Sequence, residues 1–419
     1  MSRRWIVVAL IFLGILISYV DRGNLSIAAA SIMRDFHLSP GAMGVLLSAF
    51  FWTYAICQLP AGYIVDRHGI RLVYGAGFII WSLASAGIAL SSHSGEILSL
   101  RLLLGFAESV GPLASLAFIR QNFSGRNQGL PTSIYISGQN LGPACGALLG
   151  TALLAHFGWR AMFAVTGLGA LLWVPFWLLL APRKHEARGA QSESAAPQHQ
   201  WPWIAVLSSP AFWAMSGCIF FMSYYWYFLL TWMPAYLILA RGFSAMGMGR
   251  ILSMPLFTMA VLNIGFGWLA DKLVARNQAI FRTRITFAAA GLLGASSILL
   301  LNVLSGRAPV LPILVISICS FGVTSSSFWA IAQHTPPAFL VGRTIGYLNT
   351  LSQVAGAVAP VITGWSLGAA HNFRFAILLA GLAPLIACVL LFVAGPQNLE
   401  KLKHTLALSN TSGFTITPS

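Results

Sequence analysis

Ser18-Tyr19-Val20-Asp21-Arg22-Gly23-Asn24 places an acid beside a base within an apolar run that extends from Trp5 to Val20 and resumes from Leu25 to Met33. A run of this length crosses a bilayer, which takes about 20 mostly apolar residues. The pair therefore falls at membrane depth, with apolar sequence on both sides, and not at a helix end where its charges would snorkel. An ionised side chain there costs about 2.5 to 3.5 kcal/mol on insertion scales and is retained where it faces a partner or a water-filled cavity. The stretch predicts a membrane helix with transport chemistry at its middle.

Outward from it the same pattern repeats. The chain is 57% hydrophobic and 8% charged, against about 25% charged in an ordinary soluble domain. Twelve apolar spans are expected, at 5–30, 42–64, 72–91, 97–119, 130–154, 161–180, 210–239, 246–269, 285–304, 310–333, 344–369 and 375–394. The first span lacks the small-residue cleavage site of a secretory signal and reads as a retained helix. The formal charge of +15 does not indicate nucleic acid, because the basic residues lie in short connections. Arg3, Arg4, Arg67, Arg71, Arg120, Arg183, Lys184, Lys272 and Arg343 fall on one side, and Arg34, Arg160, Arg241, Arg250, Arg307 and Arg374 on the other. By the positive-inside rule both termini are expected in the cytoplasm. Cys57, Cys145, Cys218, Cys319 and Cys388 show no paired or metal-like spacing and read as packing residues.

Between the sixth and seventh spans, residues 182–208 are polar and rich in Ser, Gln and Ala, the composition of a solvated linker. The expected organisation is a six-helix bundle at 1–181, this linker, a second bundle at 209–395, and a tail at 396–419, largely disordered beyond Lys403. An internal echo supports two halves: Gly62-Tyr63-Ile64-Val65-Asp66-Arg67 follows span two, and Gly267-Trp268-Leu269-Ala270-Asp271-Lys272 follows span eight. Repeated halves in a membrane protein imply alternating access to a central site. The motif and the topology resemble the major facilitator superfamily. The resemblance implies an all-α fold of two pseudo-symmetric six-helix bundles, with Asp66, Arg67, Arg71 and Asp271 serving conformational gating.

Of the nine acids, only Asp21 and Glu108 lie well inside spans, and every histidine and lysine maps to a connection, a tail or a span end. Mid-membrane proton handling is therefore expected of two carboxylates, with Arg22 and Arg101 as their basic partners. Arg101 and Glu108 are seven residues apart on one span, about 10.5 Å along a helix axis and on a shared face; an Arg101 that snorkels to the surface is the alternative. Two acids and two bases sum to zero, which permits burial as a network. An anion that engages an arginine weakens its hold on a carboxylate and so eases proton uptake. The adjacency of Asp21 and Arg22 is the expected route for that coupling.

A narrower likeness is carried by Tyr19-Val20-Asp21-Arg22-Gly23-Asn24-Leu25-Ser26, by Arg101-Leu102-Leu103-Leu104-Gly105-Phe106-Ala107-Glu108, and by Leu230-Thr231-Trp232-Met233-Pro234-Ala235-Tyr236. These resemble the anion:cation symporter family, which includes bacterial sugar-acid carriers of the galactonate type, sialin and the vesicular glutamate transporters. The resemblance implies Asp21 and Glu108 as proton-coupling positions, assisted by Arg101, and Arg22 as the anion-binding position. It also implies pocket roles for Tyr19, Tyr54, Gln139, Ser326, Trp329 and Asn349, with Tyr224 and Tyr227 as further candidates. Helix packing, or an interfacial aromatic belt for the two last, accounts for these neutral residues equally well. One departure is Asn122-Phe123-Ser124 followed by Asn127-Gln128, where many relatives carry Trp-Phe-Pro and Glu-Arg.

The expected function is proton-coupled uptake of a small organic anion, foremost a sugar acid such as galactonate, another aldonate or a hexuronate. The expected site is the bacterial inner membrane, and the protein is expected to act as a monomer with no cofactor beyond protons and no nucleic-acid partner. Aromatic or other carboxylates are the nearest alternative. A drug or cation antiporter is opposed by Arg22, whose fixed charge repels cations. An enzyme is opposed by the lack of a nucleophile with its base, a metal-ligand cluster or a phosphate loop. A receptor without transport stays open at this level.

Overall fold

The computed structural model describes residues 3–123, 128–182, 207–277, 279–337 and 340–408. Most of the expected linker at 182–208 and the last part of the tail lie outside these. Every described element is helical. In chain order they are α1 (Arg3–Asp35), α2 (Pro40–His68), α3 (Ile70–Gly87), α4 (Ser94–Glu108), α5 (Val110–Asn122), α6 (Gly129–Ala170) and α7 (Trp173–Leu180). The second half has α8 (Pro210–Thr231), α9 (Met233–Leu239), α10 (Ala245–Asn277), α11 (Ile280–Ala295), α12 (Val310–His334), α13 (Val341–Ala370), α14 (Arg374–Ala394) and α15 (Pro396–Leu408).

Ten stretches among the described residues are long and apolar enough to cross a membrane. One of them, Gly129–Leu180, is 52 residues long and covers two expected spans, 130–154 and 161–180. It breaks at Gly158, whose φ of 80° lies in the left-handed region open to glycine. The expected span 210–239 is divided into α8 and α9 at Trp232, two residues before Pro234 in the first turn of α9. The twelve expected spans are thus helical over most of their described length. Differences lie at the ends: α2 and α10 continue through their Asp-base turns to His68 and Asn277. The tail differs too, because Pro396–Leu408 is helical and buries Leu399, Leu402 and Leu406 on one face.

Two sequence devices position the interior of the first half. Pro112 has no N–H to offer the carbonyl of Glu108 four residues earlier, and its ring crowds that carbonyl. Helix α4 accordingly ends at Glu108 and α5 begins at Val110. The other device is Gly138, Gly142, Gly146 and Gly150, which line one face of α6 at four-residue spacing. A Cβ would fall 2.4 Å from Ile15 at Gly138, 2.4 Å from Tyr19 at Gly142, and 2.8 Å from Ile27 at Gly150. Small residues at such intervals let membrane helices approach closely where no hydrophobic force drives them together. They seat α1, with its charged middle, against α6.

The chain forms two compact units. One comprises residues 1–194, 226–257 and 356–376, and the other 195–225, 258–355 and 377–419. In the first unit, segments of the second half are joined to α2 and α6 by glycine contacts. A Cβ on Gly364 would lie 2.5 Å from the Pro40 carbonyl, and one on Gly44 2.5 Å from the Pro360 carbonyl. Trp232 donates its indole N–H to that same Pro360 oxygen at 3.0 Å. The second unit is held by neutral pairs, Ser223 with Ser352 at 2.7 Å and Ser216 with Tyr347 at 3.2 Å, and by the ion pair of Arg284 with Asp271.

Candidate functional site

The charged middle of α1 meets α4 at the helix break. Arg22 Nε lies 2.7 Å from Glu108 Oε2, and the same oxygen accepts the Ser18 hydroxyl at 2.7 Å. Ser18 and Arg22 are four residues apart, so α1 presents both on one face. The Glu108 side chain is fully buried, while Arg22 retains 12% exposure. Three rings enclose the guanidinium, at 4.6 Å from Tyr19, 4.7 Å from Phe50 and 4.6 Å from Tyr54. Their faces carry partial negative charge and attract the cation, so Arg22 is held by one carboxylate and an aromatic box.

Gly105 makes this box possible. A Cβ there would stand 2.2 Å from the Phe50 carbonyl, so α2 lies directly on α4 and brings Phe50 and Tyr54 to Arg22. Phe50 also lies 5.4 Å from the Arg101 guanidinium. Arg101 is 2% exposed, which places it in the interior and not snorkelling to a surface. Among the described residues it makes no ion pair, and two of its nitrogens have no hydrogen-bond partner.

Asp21 points elsewhere. Successive side chains on a helix diverge by about 100°, and Asp21 is 1% exposed in a neutral pocket with Asn24 and Ser85. Its Oδ1 accepts from Asn24 Nδ2 and from Ser85 Oγ, each at 3.4 Å. Asn24 Nδ2 also donates to Thr166 Oγ1 at 2.9 Å. The expected coupling through adjacency is therefore revised: the carboxylate that holds Arg22 is Glu108, across helices, while Asp21 forms no ion pair among the described residues.

The remaining expected residues fall in both units. Gln139 is bonded to Tyr135 one turn earlier on α6, at 3.1 Å. Tyr227 meets Phe51 edge-on at 4.6 Å, and Phe51 meets Phe50 at 5.2 Å, so a run of rings connects it to the box around Arg22. In the second unit Ser326 donates to the Val323 carbonyl of its own helix, Trp329 is half-buried edge-on to Phe328, and Asn349 is half-buried on α13. Of the gating candidates, Asp66 and Arg67 are exposed at the end of α2, and Arg67 lies 3.3 Å from the Tyr63 hydroxyl. Arg71 supplies its carbonyl to Trp177, and Asp271 is paired with Arg284. Sequence reasoning missed Ser18, Asn24, Phe50, Ser85 and Thr166 as site residues. Ser18 and Asn24 were accessible from spacing alone, at four residues from Arg22 and three from Asp21; the others arrive through tertiary packing.

Residues 11–360 match the Major Facilitator Superfamily. The chain belongs to that superfamily. Its fold is similar to a bacterial homologue of the human lysosomal transporter Spinster in an inward-facing, occupied conformation, with a TM-score of 0.74 over 98% of this chain and 96% of that one, at 17% identity. Among curated relatives, a probable galactarate/D-glucarate transporter of Bacillus subtilis (strain 168) is 29% identical, covering 96% of this chain and 94% of the relative. The D-galactonate transporter of Escherichia coli O6:H1 is 25% identical over 92% of this chain and 94% of its own length. The hexuronate transporter of Bacillus subtilis is 28% identical over 90% of each. The protein is a multi-pass membrane protein of a transporter family, and these relatives are transporters and not enzymes.

Proposed function

We propose that the protein is a proton-coupled symporter that takes up a small sugar acid with one carboxylate, an aldonate or a hexuronate. It works by alternating access of two six-helix halves, residues 1–181 and 209–395, in a bacterial inner membrane with both termini in the cytoplasm. The observation that carries this reading is the Arg22–Glu108 pair in its aromatic box. An ionised Glu108 occupies the guanidinium that an incoming carboxylate needs. Protonation of Glu108 weakens that hold, since the ionised acceptor makes the stronger bond, and frees Arg22 for substrate.

Charge balance favours the same coupling. Asp21, Glu108, Arg22 and Arg101 together are neutral. An anion entering alone leaves an uncompensated charge in a low-dielectric interior, whereas an anion entering with a proton does not. Selectivity for one carboxylate follows from the supply of cations. Arg22 is the partly exposed one, and Arg101 is 2% exposed. Among the described residues of the second half the buried charge is Arg284, already bound to Asp271. The names of the relatives support sugar acids as the substrate class. A polyol tail suits the hydroxyls and amide of Tyr19, Tyr54 and Gln139, with Tyr227 as an apolar face; Ser326, Trp329 and Asn349 are proposed as polyol-binding candidates of the other unit.

Thermal-shift screening against aldonates, hexuronates, aldarates and aromatic acids identifies the ligand, because a bound ligand stabilises the native state. Proteoliposomes then test the coupling. Accumulation of the stabilising acid is expected with an inward proton gradient and not without one; accumulation indifferent to that gradient rejects the symport reading.

A further inference from the structure

Asn24 is fully buried, and its amide stands between two elements. Nδ2 donates toward Asp21 Oδ1 at 3.4 Å and to Thr166 Oγ1 at 2.9 Å, and the Thr166 hydroxyl in turn donates to the Met162 carbonyl at 2.9 Å. Thr166 lies in the part of α6 beyond the Gly158 break, so the amide joins the middle of α1 to a separate helical segment. Neither Asp21 Oδ2 nor Asn24 Oδ1 has a partner among the described residues. Buried polar atoms are nearly always satisfied, so this arrangement leaves bonding capacity unused in the state observed.

A primary amide is nearly the same shape after a half-turn that exchanges its oxygen and nitrogen, but its hydrogen-bonding sense is reversed. With Asp21 ionised, the NH2 group donates both to the carboxylate and to Thr166, as observed. With Asp21 protonated, the turned amide offers its oxygen to the new carboxyl O–H and to the Thr166 hydroxyl, which then leaves the Met162 carbonyl. A hydroxyl can serve in either sense, so one proton added at Asp21 is read out as a changed bond inside α6. The Thr166 hydroxyl also stands within hydrogen-bonding reach of Asp21 itself, a direct contact that the double variant below distinguishes from a relay through Asn24. Ser85 on α3 donates to Oδ1, and the ionisable groups within electrostatic reach, Glu108 and Arg101 on α4, make no hydrogen bond to Thr166 among the described residues.

We propose that Asn24 is a positioning residue that relays the protonation state of Asp21 to α6 through Thr166. The inference rests on the reading of Asp21 as a proton-binding group, and the experiment separates the two. The infrared C=O band of protonated buried carboxyls is titrated with pH in the ligand-free, full-length protein in liposomes. The component lost in Asp21→Asn is assigned to Asp21; if that variant loses none, the proton-site reading falls and the relay with it.

Given the band, Asn24→Leu removes a charge-assisted bond from the ionised form and a weaker neutral one from the protonated form. The titration midpoint is expected to move to higher pH by about one unit. Thr166→Val is expected to shift it less in the same direction, and Thr166→Ser to restore it. In the Asn24→Leu background Thr166→Val is expected to add nothing, because it acts through the amide. An unmoved midpoint in Asn24→Leu, or additive shifts in the double variant, overturns the relay while leaving Asp21 as a proton site. Should Asn24→Leu fail to fold, the Thr166→Val and Thr166→Ser pair decides: equal midpoints reject the relay.

Discussion

The two halves of the chain solve the problem of polarity inside a membrane differently. The first places ionisable residues in its interior, with Asp21, Arg101 and Glu108 buried and Arg22 partly so on α1 and α4. The second relies on neutral pairs between hydroxyls, such as Tyr225 with Ser317 and Ser223 with Ser352; its one buried arginine among the described residues, Arg284, is bound to Asp271 at the end of α10. A neutral hydrogen bond is formed and lost at a cost of about 1 kcal/mol, whereas removing one member of a buried ion pair and leaving the other unpaired costs about 3 to 5 kcal/mol. Chemistry that must respond to a proton or an anion belongs with the large terms. The proposed coupling therefore belongs with the first half, and shape and hydroxyl recognition are proposed for the second.

The largest effect that would test this contrast is expected from Arg22→Ala. It strands Glu108, whose side chain is fully buried, without its cation. The loss is expected to be about 3 to 5 kcal/mol in stability, and it is measured as a lowered midpoint of thermal unfolding in detergent. Glu108→Ala is expected to lose a similar amount by stranding Arg22. A double Arg22→Met, Glu108→Gln variant removes both charges, and it is expected to recover most of that stability while binding no sugar acid. If the double variant is as unstable as either single one, the pair is not the source of the effect.

Next comes Glu108→Gln alone, which keeps an acceptor for Arg22 but cannot take up a proton. Proteoliposomes carrying it are expected to exchange internal for external sugar acid yet to accumulate none under a proton gradient. Gradient-driven accumulation at the normal level would move the coupling role off Glu108.

Much of this contrast was legible in the sequence, for reasons specific to membranes. Charged residues are so costly at mid-membrane that listing them leaves few candidates, and Asp21, Arg101 and Glu108 proved buried, with Arg22 partly so. What spacing along the chain did not reveal was which acid meets which base. Asp21 and Arg22 are adjacent, but helical rotation sends them to different neighbours, and the break imposed by Pro112 leaves Glu108 at the end of α4, facing Arg22. Ser85 and Thr166 were unreadable because a hydroxyl in a helix is equally satisfied by its own backbone, as Ser326 is. The helical tail was missed because Leu399, Leu402 and Leu406 form a short apolar stripe within a polar segment.

A closure of the first unit supplies an intermediate test. A methyl group on Gly364 would lie 2.5 Å from the Pro40 carbonyl, a backbone atom that cannot turn aside. Gly364→Ala is therefore expected to destabilise the contact between α2 and α13 by about 1 to 3 kcal/mol, the range for overpacking. It is also expected to raise the labelling rate of a cysteine placed at Gly41, which neighbours Trp365 in the same contact. Unchanged labelling would mean that the helices shift together and the glycine is not limiting.

The smallest effect is expected in the second half, and it is the sharpest check on the division of labour. Ser223 is 5% exposed and donates to Ser352 at 2.7 Å. Ser223→Ala removes one neutral bond and leaves a hydroxyl that can turn to another acceptor, so the expected loss is about 0.5 to 1.5 kcal/mol of stability. Its ratio of gradient-driven accumulation to exchange should equal that of the unmodified protein, because no charge has been stranded and no proton acceptor removed. A fall in that ratio comparable to the fall in Glu108→Gln would show that coupling depends on neutral bonds as much as on buried charge. The contrast between the halves would then be one of composition and not of function.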